Sequence, residues 1–159
     1  MNATALGKSL FRVLLAATAA LFLLGTGCVM IFEDSFIYFQ TKGDVGPSPG
    51  EDIFVTASDG VRIHGWYVTH PAARVSILWF HGNAGNIENR REMLLKLREL
   101  PANVLVIDYR GYGRSEGKPS EAGLYLDARA AWDWLSARTA PGNIVILGKS
   151  LGGGPACEL

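Results

Sequence analysis

Apolar and polar positions are arranged along the chain in a way that predicts short strands separated by helices. Residues 53–57 and 61–68 flank Ser58-Asp59-Gly60, a turn sequence typical of a β-hairpin. Almost wholly apolar runs follow, as expected for buried strands, at residues 75–80, 104–107 and 144–147. The pattern therefore predicts a hairpin followed by three further strands.

Between these strands the apolar residues recur at helical spacing. One predicted helix covers residues 87–100, and another runs from Ser120, a suitable N-cap, to about Arg138. A hairpin followed by alternating strands and helices indicates the α/β class. We expect a mostly parallel sheet with helices on both faces.

The N-terminal part has a different pattern. Residues 1–12 are basic, residues 13–32 carry no charge, and Glu33 and Asp34 follow at once. Twenty helical residues rise about 30 Å, enough to cross a bilayer. We therefore expect a transmembrane or signal-anchor helix at 13–32, a juxtamembrane linker at 33–50 and a globular domain at 51–159. Basic residues before the span predict that the domain lies outside the cytoplasm, in the periplasm of a bacterium.

Two processing signals leave alternatives to an uncleaved anchor. Gly27-Cys28 resembles a lipoprotein processing site, so Cys28 is a candidate for lipidation. Ala17-Thr18-Ala19 has the small-x-small pattern of signal cleavage and would give a secreted protein. An uncleaved anchor and a lipidated Cys28 would both make the membrane a partner of the protein.

The composition argues against several classes of partner and site. The formal net charge is zero, so no nucleic-acid partner is expected. The two cysteines do not form a disulfide framework, and Cys157 is expected to pack as a small apolar residue. No cluster has metal-ligand spacing, and no metal or cofactor is expected.

The run at 144–147 is followed by Gly148-Lys149-Ser150-Leu151-Gly152. A G-x-S-x-G sequence behind a buried strand is the nucleophile elbow of a serine hydrolase, in which glycines permit a tight turn around the serine. The sequence Gly148-Lys149-Ser150 also matches the end of a phosphate-binding P-loop. That loop needs a glycine at position 143, where this chain has Asn143. Ser150 is therefore the candidate nucleophile.

A second glycine-containing loop follows the strand at 75–80. It begins His81-Gly82-Asn83 and can direct a backbone N–H towards a developing oxyanion. We assign the oxyanion donors to the N–H groups of Asn83 and Leu151, with Ala84 as the alternate to Asn83. His81 is expected to brace this loop rather than to act as a base.

The strand at 104–107 is followed by Asp108-Tyr109-Arg110-Gly111. A carboxylate at this edge of an α/β sheet can be catalytic. We instead expect Asp108 and Arg110 to pair with each other and to hold the glycine-rich loop. Ser115 lacks the strand–turn context, and His64 is expected at the surface or in packing.

These motifs occur in an order that resembles the α/β-hydrolase superfamily. The resemblance covers Phe36 to Leu159. The series of motifs is similar to a membrane-anchored branch that contains bud-emergence-homologue, serine-aminopeptidase-like and protein depalmitoylase members. It implies Ser150 as nucleophile, an oxyanion hole at Asn83 and Leu151, and an N-terminal anchor. The expected reaction is hydrolysis of an ester, thioester or amide, with a small-molecule, lipid or acylated substrate.

The resemblance also implies an acid and a histidine after the elbow, where only Leu151 to Leu159 follow. We therefore expect an incomplete α/β-hydrolase fold, inactive by itself, whose last strand lies at an open sheet edge. A separate C-terminal half is a possible complementing partner. The alternative hypothesis is a non-catalytic, membrane-anchored half-fold that serves binding or association.

Overall fold

The structure is a computed structural model that describes the backbone of residues 3–159 and the side chains of residues 12–25, 33, 34 and 36–159. The chain divides into two compact units, an N-terminal one that ends at Ile37 and a second one comprising Tyr38–Leu159. The N-terminal unit is helix α1, Ala3–Ile37.

The predicted membrane span at 13–32 lies inside α1, which is 35 residues long. Within the part of the chain that the structure describes, no helix combines the length and apolarity that crossing a membrane requires. The side chains of residues 26–32 lie outside those that the structure describes, and the predicted span at 13–32 stays a prediction. Cys28 lies outside the described side chains, and its lipidation stays a prediction.

The second unit is built on one five-stranded sheet, with strand order β1-β2-β4-β3-β5. The strands are β1 (Glu51–Thr56), β2 (Arg62–Val68), β3 (Val75–Phe80), β4 (Ala102–Ile107) and β5 (Ile144–Gly148). The predicted hairpin is confirmed, since β1 pairs with β2 antiparallel. Gly60 takes a φ of 88° in its turn, a conformation that glycine adopts without strain.

The prediction of a mostly parallel sheet is only half right. β3 pairs with β4 and β5 in parallel, but β2 pairs with β4 antiparallel. The hairpin reverses the chain direction, and β4 then lies between β2 and β3, so the sheet is mixed. β5 pairs with β3 alone and lies at the edge of the described sheet, as predicted, with Val145 49% exposed.

Helices cover both faces of the sheet. Helix α2 (Arg91–Leu97) follows a 3-10 turn at Ile87–Arg90. Ile87 of the turn and Leu94 of the helix are buried in a core with Trp66 and Trp79. The predicted helix at 87–100 is thus shorter and begins as a 3-10 turn. Helix α3 (Glu121–Ser136) lies against the opposite face.

The start of α3 agrees with the sequence. The Ser120 side chain accepts a hydrogen bond from the Gly123 N–H at 3.2 Å, as expected of an N-cap. After β5, a 3-10 turn at Ser150–Gly152 leads into helix α4 (Gly153–Glu158).

Residues 38–45, predicted as part of a linker, instead pack against two loops of the second unit. The Thr41 N–H donates to the Gly85 carbonyl at 3.2 Å, and Gly113 exchanges hydrogen bonds with this segment on its other side. Tyr38 and Val45 are buried.

Candidate active site

Ser150 stands at the turn between β5 and α4. It has a φ of 51°, one of only two positive values among non-glycine residues in the part of the chain that the structure describes. A side chain in this left-handed region is strained, and such strain occurs most often at functional sites. Ser150 is exposed at the carboxyl end of the parallel strands.

The glycines on either side of the serine are required by close packing. A Cβ on Gly148 would lie 2.6 Å from the Gly152 carbonyl oxygen and 2.7 Å from the Ala156 Cβ. A Cβ on Gly152 would lie 2.6 Å from the carbonyl carbon of Phe80. The turn therefore has the geometry that the G-x-S-x-G pattern predicts.

The loop after β3 lies directly beside this turn. The Lys149 N–H donates to the Phe80 carbonyl at 3.0 Å, and a Cβ on Gly82 would lie 3.5 Å from the Ser150 Cβ. Leu151 is in the first turn of the helical segment after Ser150, where amide groups have no carbonyl partner within the helix. The structure thus brings together the two predicted sources of oxyanion donors.

The Asn83 side chain forms the centre of the next set of contacts. Its Oδ1 accepts hydrogen bonds from the Phe39 N–H at 3.1 Å, the Ala84 N–H at 2.8 Å and the Tyr112 hydroxyl at 2.9 Å. The Ala84 N–H, our alternate oxyanion donor, is thus engaged by Asn83.

His81 is fully buried at the base of the same loop. One ring nitrogen, Nδ1, lies 2.8 Å from the Gly82 carbonyl oxygen, and Nε2 lies 3.6 Å from the Asp108 carboxylate. The rings of Tyr109 and Tyr112 pack against it, and the Tyr109 hydroxyl donates to the His81 carbonyl at 2.7 Å. These are the contacts of a residue that braces the loop.

The predicted pairing of Asp108 with Arg110 is wrong. Arg110 instead binds Asp127 of α3 at 2.8 Å and Asp59 of the hairpin turn at 2.7 Å. Asp108 accepts a hydrogen bond from the Ile87 N–H at 2.8 Å and so anchors the end of the loop after β3. Both residues have structural roles near the loops, but each binds other partners: Asp108 holds the loop after β3, and Arg110 holds the hairpin turn and α3.

The charge environment of Arg110 is that of a buried ion-pair network. Burial raises the pKa of the Asp127 carboxyl above its usual range, and the hydrogen bonds from Arg110 oppose this rise. The hydrogen bond from Arg110 lowers the pKa of the exposed Asp59. The sequence analysis missed Asp127, although a carboxylate on the apolar face of a predicted helix was an available signal.

His64 is fully buried, which agrees with the packing alternative, and it belongs to a second network. Its Nε2 lies 2.5 Å from Asp52, which also binds Arg114. Burial acts to raise the pKa of Asp52, but the hydrogen bonds from His64 and Arg114 outweigh it and lower that pKa. On its other side the His64 Nδ1 lies 3.7 Å from Asp108.

Two further side chains contact the candidate site and were missed by sequence reasoning. Arg90 contacts three carbonyl oxygens of the loop after β3, and the Tyr112 hydroxyl binds Asn83. Burial raises the pKa of Tyr112 to about 12, so its hydroxyl is a donor at neutral pH. Neither residue has a motif of its own, since both depend on loop contacts that only the fold creates.

A cavity of about 360 Å³ lies next to the elbow, between β5 and α2. Trp79, Met93 and Leu147 give it an apolar wall, and Arg90 and Lys149 lie at its polar side. No group of histidine, cysteine and carboxylate side chains in the described residues could hold a metal ion. Cys157, predicted to be packed, is exposed on α4.

The comparisons with known proteins agree with this architecture. Residues 75–159 match the family model described as the alpha/beta hydrolase fold. The alpha/beta hydrolase domain-containing protein WAV2 of Arabidopsis thaliana is 49% identical over 144 residues, which cover 81% of this chain and 47% of WAV2. The protein bem46 of Schizosaccharomyces pombe is 31% identical, covering 99% of this chain and 59% of its own length.

Solved structures show the same fold. The Pyrococcus furiosus esterase Pf2001 superimposes with a TM-score of 0.58 at 27% identity, over 67% of this chain and 41% of the esterase. The chain spans about half the length of the curated relatives it matches. A family match over more than half of the chain, together with the strand order and the elbow geometry, establishes that this chain belongs to the α/β-hydrolase family.

Proposed function

We propose that this chain carries the nucleophile and the oxyanion hole of a serine hydrolase that cleaves ester, thioester or amide bonds. The observation that carries the proposal is the left-handed φ of Ser150 between two glycines that admit no side chain. This turn presents the serine hydroxyl at the carboxyl end of the sheet, where α/β proteins bind their substrates. The likeness to Pf2001, an esterase, supports an acyl substrate.

In the proposed reaction the Ser150 Oγ attacks the substrate carbonyl carbon and forms a tetrahedral intermediate. The N–H groups of Asn83 and Leu151 would stabilise the negative oxygen of that intermediate. Collapse releases the alcohol, thiol or amine and leaves an acyl-serine, which water then hydrolyses. The Ser150 proton passes to a water molecule acting as the base, and the departing alcohol, thiol or amine takes a proton from solvent. Among the described side chains no hydrogen bond joins Ser150 to a histidine, and His81 is engaged within its own loop.

The test is labelling of the chain with a fluorophosphonate, followed by mapping of the modified peptide by mass spectrometry. The expected result is covalent modification of Ser150, abolished in Ser150→Ala. Ser136→Ala serves as the matched control, because that serine lies on the outer part of α3. Modification of the control site with an unlabelled Ser150 would refute the proposal.

We also propose that the N-terminal helix attaches the protein to a membrane surface. Apolar side chains of α1 are exposed, with Leu21, Phe22, Leu23 and Leu24 each between 68% and 71%. Flotation of the chain with phospholipid vesicles tests this proposal. Replacement of these four residues by serine should abolish flotation, and flotation that persists in this variant would contradict the proposal.

A further inference from the structure

The guanidinium of Arg90 binds the carbonyl groups of the loop that carries Asn83. Nη2 of the half-buried Arg90 lies 3.1 Å from the Gly82 carbonyl oxygen, 3.0 Å from that of Asn83 and 2.5 Å from that of Ala84. This nitrogen has two hydrogens, so three consecutive carbonyls share them. Such convergence fixes the orientation of three successive peptide units at once.

The orientation of the carbonyls determines that of the N–H groups. In a trans peptide the C=O of one residue and the N–H of the next point in opposite directions, and no described peptide bond is cis. With the Gly82 carbonyl turned towards Arg90, the Asn83 N–H points away from Arg90. Gly82 itself borders Ser150, since a Cβ there would lie 3.5 Å from the Ser150 Cβ.

A second set of contacts holds the opposite side of the loop. The Asn83 Oδ1 accepts the Ala84 N–H at 2.8 Å and the Tyr112 hydroxyl at 2.9 Å, which stops the peptide between Asn83 and Ala84 from turning over. The loop is therefore fixed through its carbonyls by Arg90 and through an amide by the Asn83 side chain. A donor that is fixed before the reaction stabilises developing charge without reorganisation.

We propose that Arg90 is a positioning residue of the oxyanion hole: by binding the carbonyls of Gly82, Asn83 and Ala84, its guanidinium orients the Asn83 N–H towards the oxygen held at Ser150. The guanidinium also polarises these peptides, which adds positive potential on the amide side. This inference rests on the role proposed above for Ser150.

The test compares Arg90→Gln, Arg90→Lys and Arg91→Gln in the full chain. Arg91 is the matched control, because its guanidinium lies on the next residue but binds Glu88 and the Pro47 carbonyl instead of the loop. Two quantities are measured at a temperature where every variant is folded. They are the rate constant for fluorophosphonate labelling of Ser150, and the hydrogen-exchange rates and chemical shifts of the Asn83 and Ala84 amides.

We expect Arg90→Gln to lower the labelling rate constant by about tenfold or more, the loss typical of one charged hydrogen bond. It should also speed the exchange of the Ala84 amide. Arg90→Lys should recover part of the rate, since it keeps the charge, and Arg91→Gln should stay within about twofold of the unmodified chain. A purely structural role would give equal losses in Arg90→Gln and Arg90→Lys.

The outcomes separate this inference from the proposed function. If Ser150 labels and Arg90→Gln labels equally fast, the inference is overturned and the role of Ser150 stands. If Ser150 does not label in the unmodified chain, the role of Ser150 fails, and the amide measurements alone decide. Unchanged shifts and exchange at Asn83 and Ala84 in Arg90→Gln would then overturn the inference as well.

Discussion

Replacement of Gly152 by alanine should unfold the chain at a much lower denaturant concentration. A Cβ at this position would meet the carbonyl oxygen of Phe80 well inside van der Waals contact, and would lie 2.6 Å from the carbonyl carbon of Phe80 and 2.9 Å from the carbonyl oxygen of His81. All of these atoms belong to the backbone at the end of β3. They cannot turn aside as the end of a flexible side chain would.

The size of the effect follows from this geometry. Overpacking of a close-packed interior costs about 1–3 kcal/mol. We expect about 3 kcal/mol for Gly152→Ala, because relief requires a shift of the strand end or of the turn at Ser150. With a urea m-value of about 2 kcal/mol/M, this loss lowers the unfolding midpoint by about 1.5 M.

The adjacent glycine supplies the control. A Cβ on Gly153 meets nothing within 4 Å, and the residue already has helical angles, with φ −64° and ψ −38°. Alanine is the better helix former by up to about 1 kcal/mol, so Gly153→Ala should leave the midpoint unchanged or raise it by up to about 0.5 M.

The assay is urea unfolding of the full chain and of both variants, followed by far-UV circular dichroism. Equal midpoints for Gly152→Ala and Gly153→Ala would refute the packing argument, because the two substitutions add the same atoms one residue apart.

Three further predictions concern charge and exposure. Asp127→Ala should lower the free energy of unfolding by about 3 kcal/mol, because it leaves the buried guanidinium of Arg110 half-paired. Asp59→Ala should have a clearly smaller effect, because that carboxylate is exposed and solvent screens its ion pair. Urea unfolding of both variants measures the difference, and equal losses would contradict it. The pKa of Asp52 is lowered by its hydrogen-bonded partners despite burial, so its contribution to stability is complete above about pH 4 and is lost as the pH falls through the lower, folded-state pKa. Unfolding measured between about pH 2 and pH 5 should therefore show a shallower acid dependence in Asp52→Asn, and parallel curves would contradict the prediction. Cys157 is exposed, so a maleimide should modify it in the folded chain, and Cys157→Ser should change the free energy of unfolding by less than about 0.5 kcal/mol; a thiol that reacts only in urea would contradict its exposure.

Local chemistry was sufficient to predict most of the elements. The hairpin around Gly60, the buried strands and the cap at Ser120 depend on residue spacing and on interactions between near neighbours. The elbow was equally predictable, because a turn this tight admits only glycine two residues before and two residues after Ser150. Each of these features is determined by interactions among residues that lie close together in the sequence.

The pattern of hydrophobic residues did not predict which strands pair with each other. An apolar run predicts that a strand is buried but does not say which strand lies beside it. The insertion of β4 between β2 and β3 made the sheet mixed rather than mostly parallel. The helix at 87–100 was shorter than predicted for a similar reason, since its first turn is bound to Asp108 and forms a 3-10 turn.

The sequence by itself determined the class of fold, the position of the serine and the loop that faces it, because each of these depends on glycines, strand runs and caps that act locally. Only the tertiary structure decided the partners of the charged and polar side chains. It paired Arg110 with Asp127 and Asp59 instead of Asp108, and it turned Arg90 onto the carbonyls of the loop. The contacts of Arg110 join the loop after β4 to the hairpin turn and to α3, so their geometry exists only once these elements have assembled. Those of Arg90 require the loop after β3 to fold back on itself, which residue spacing does not predict.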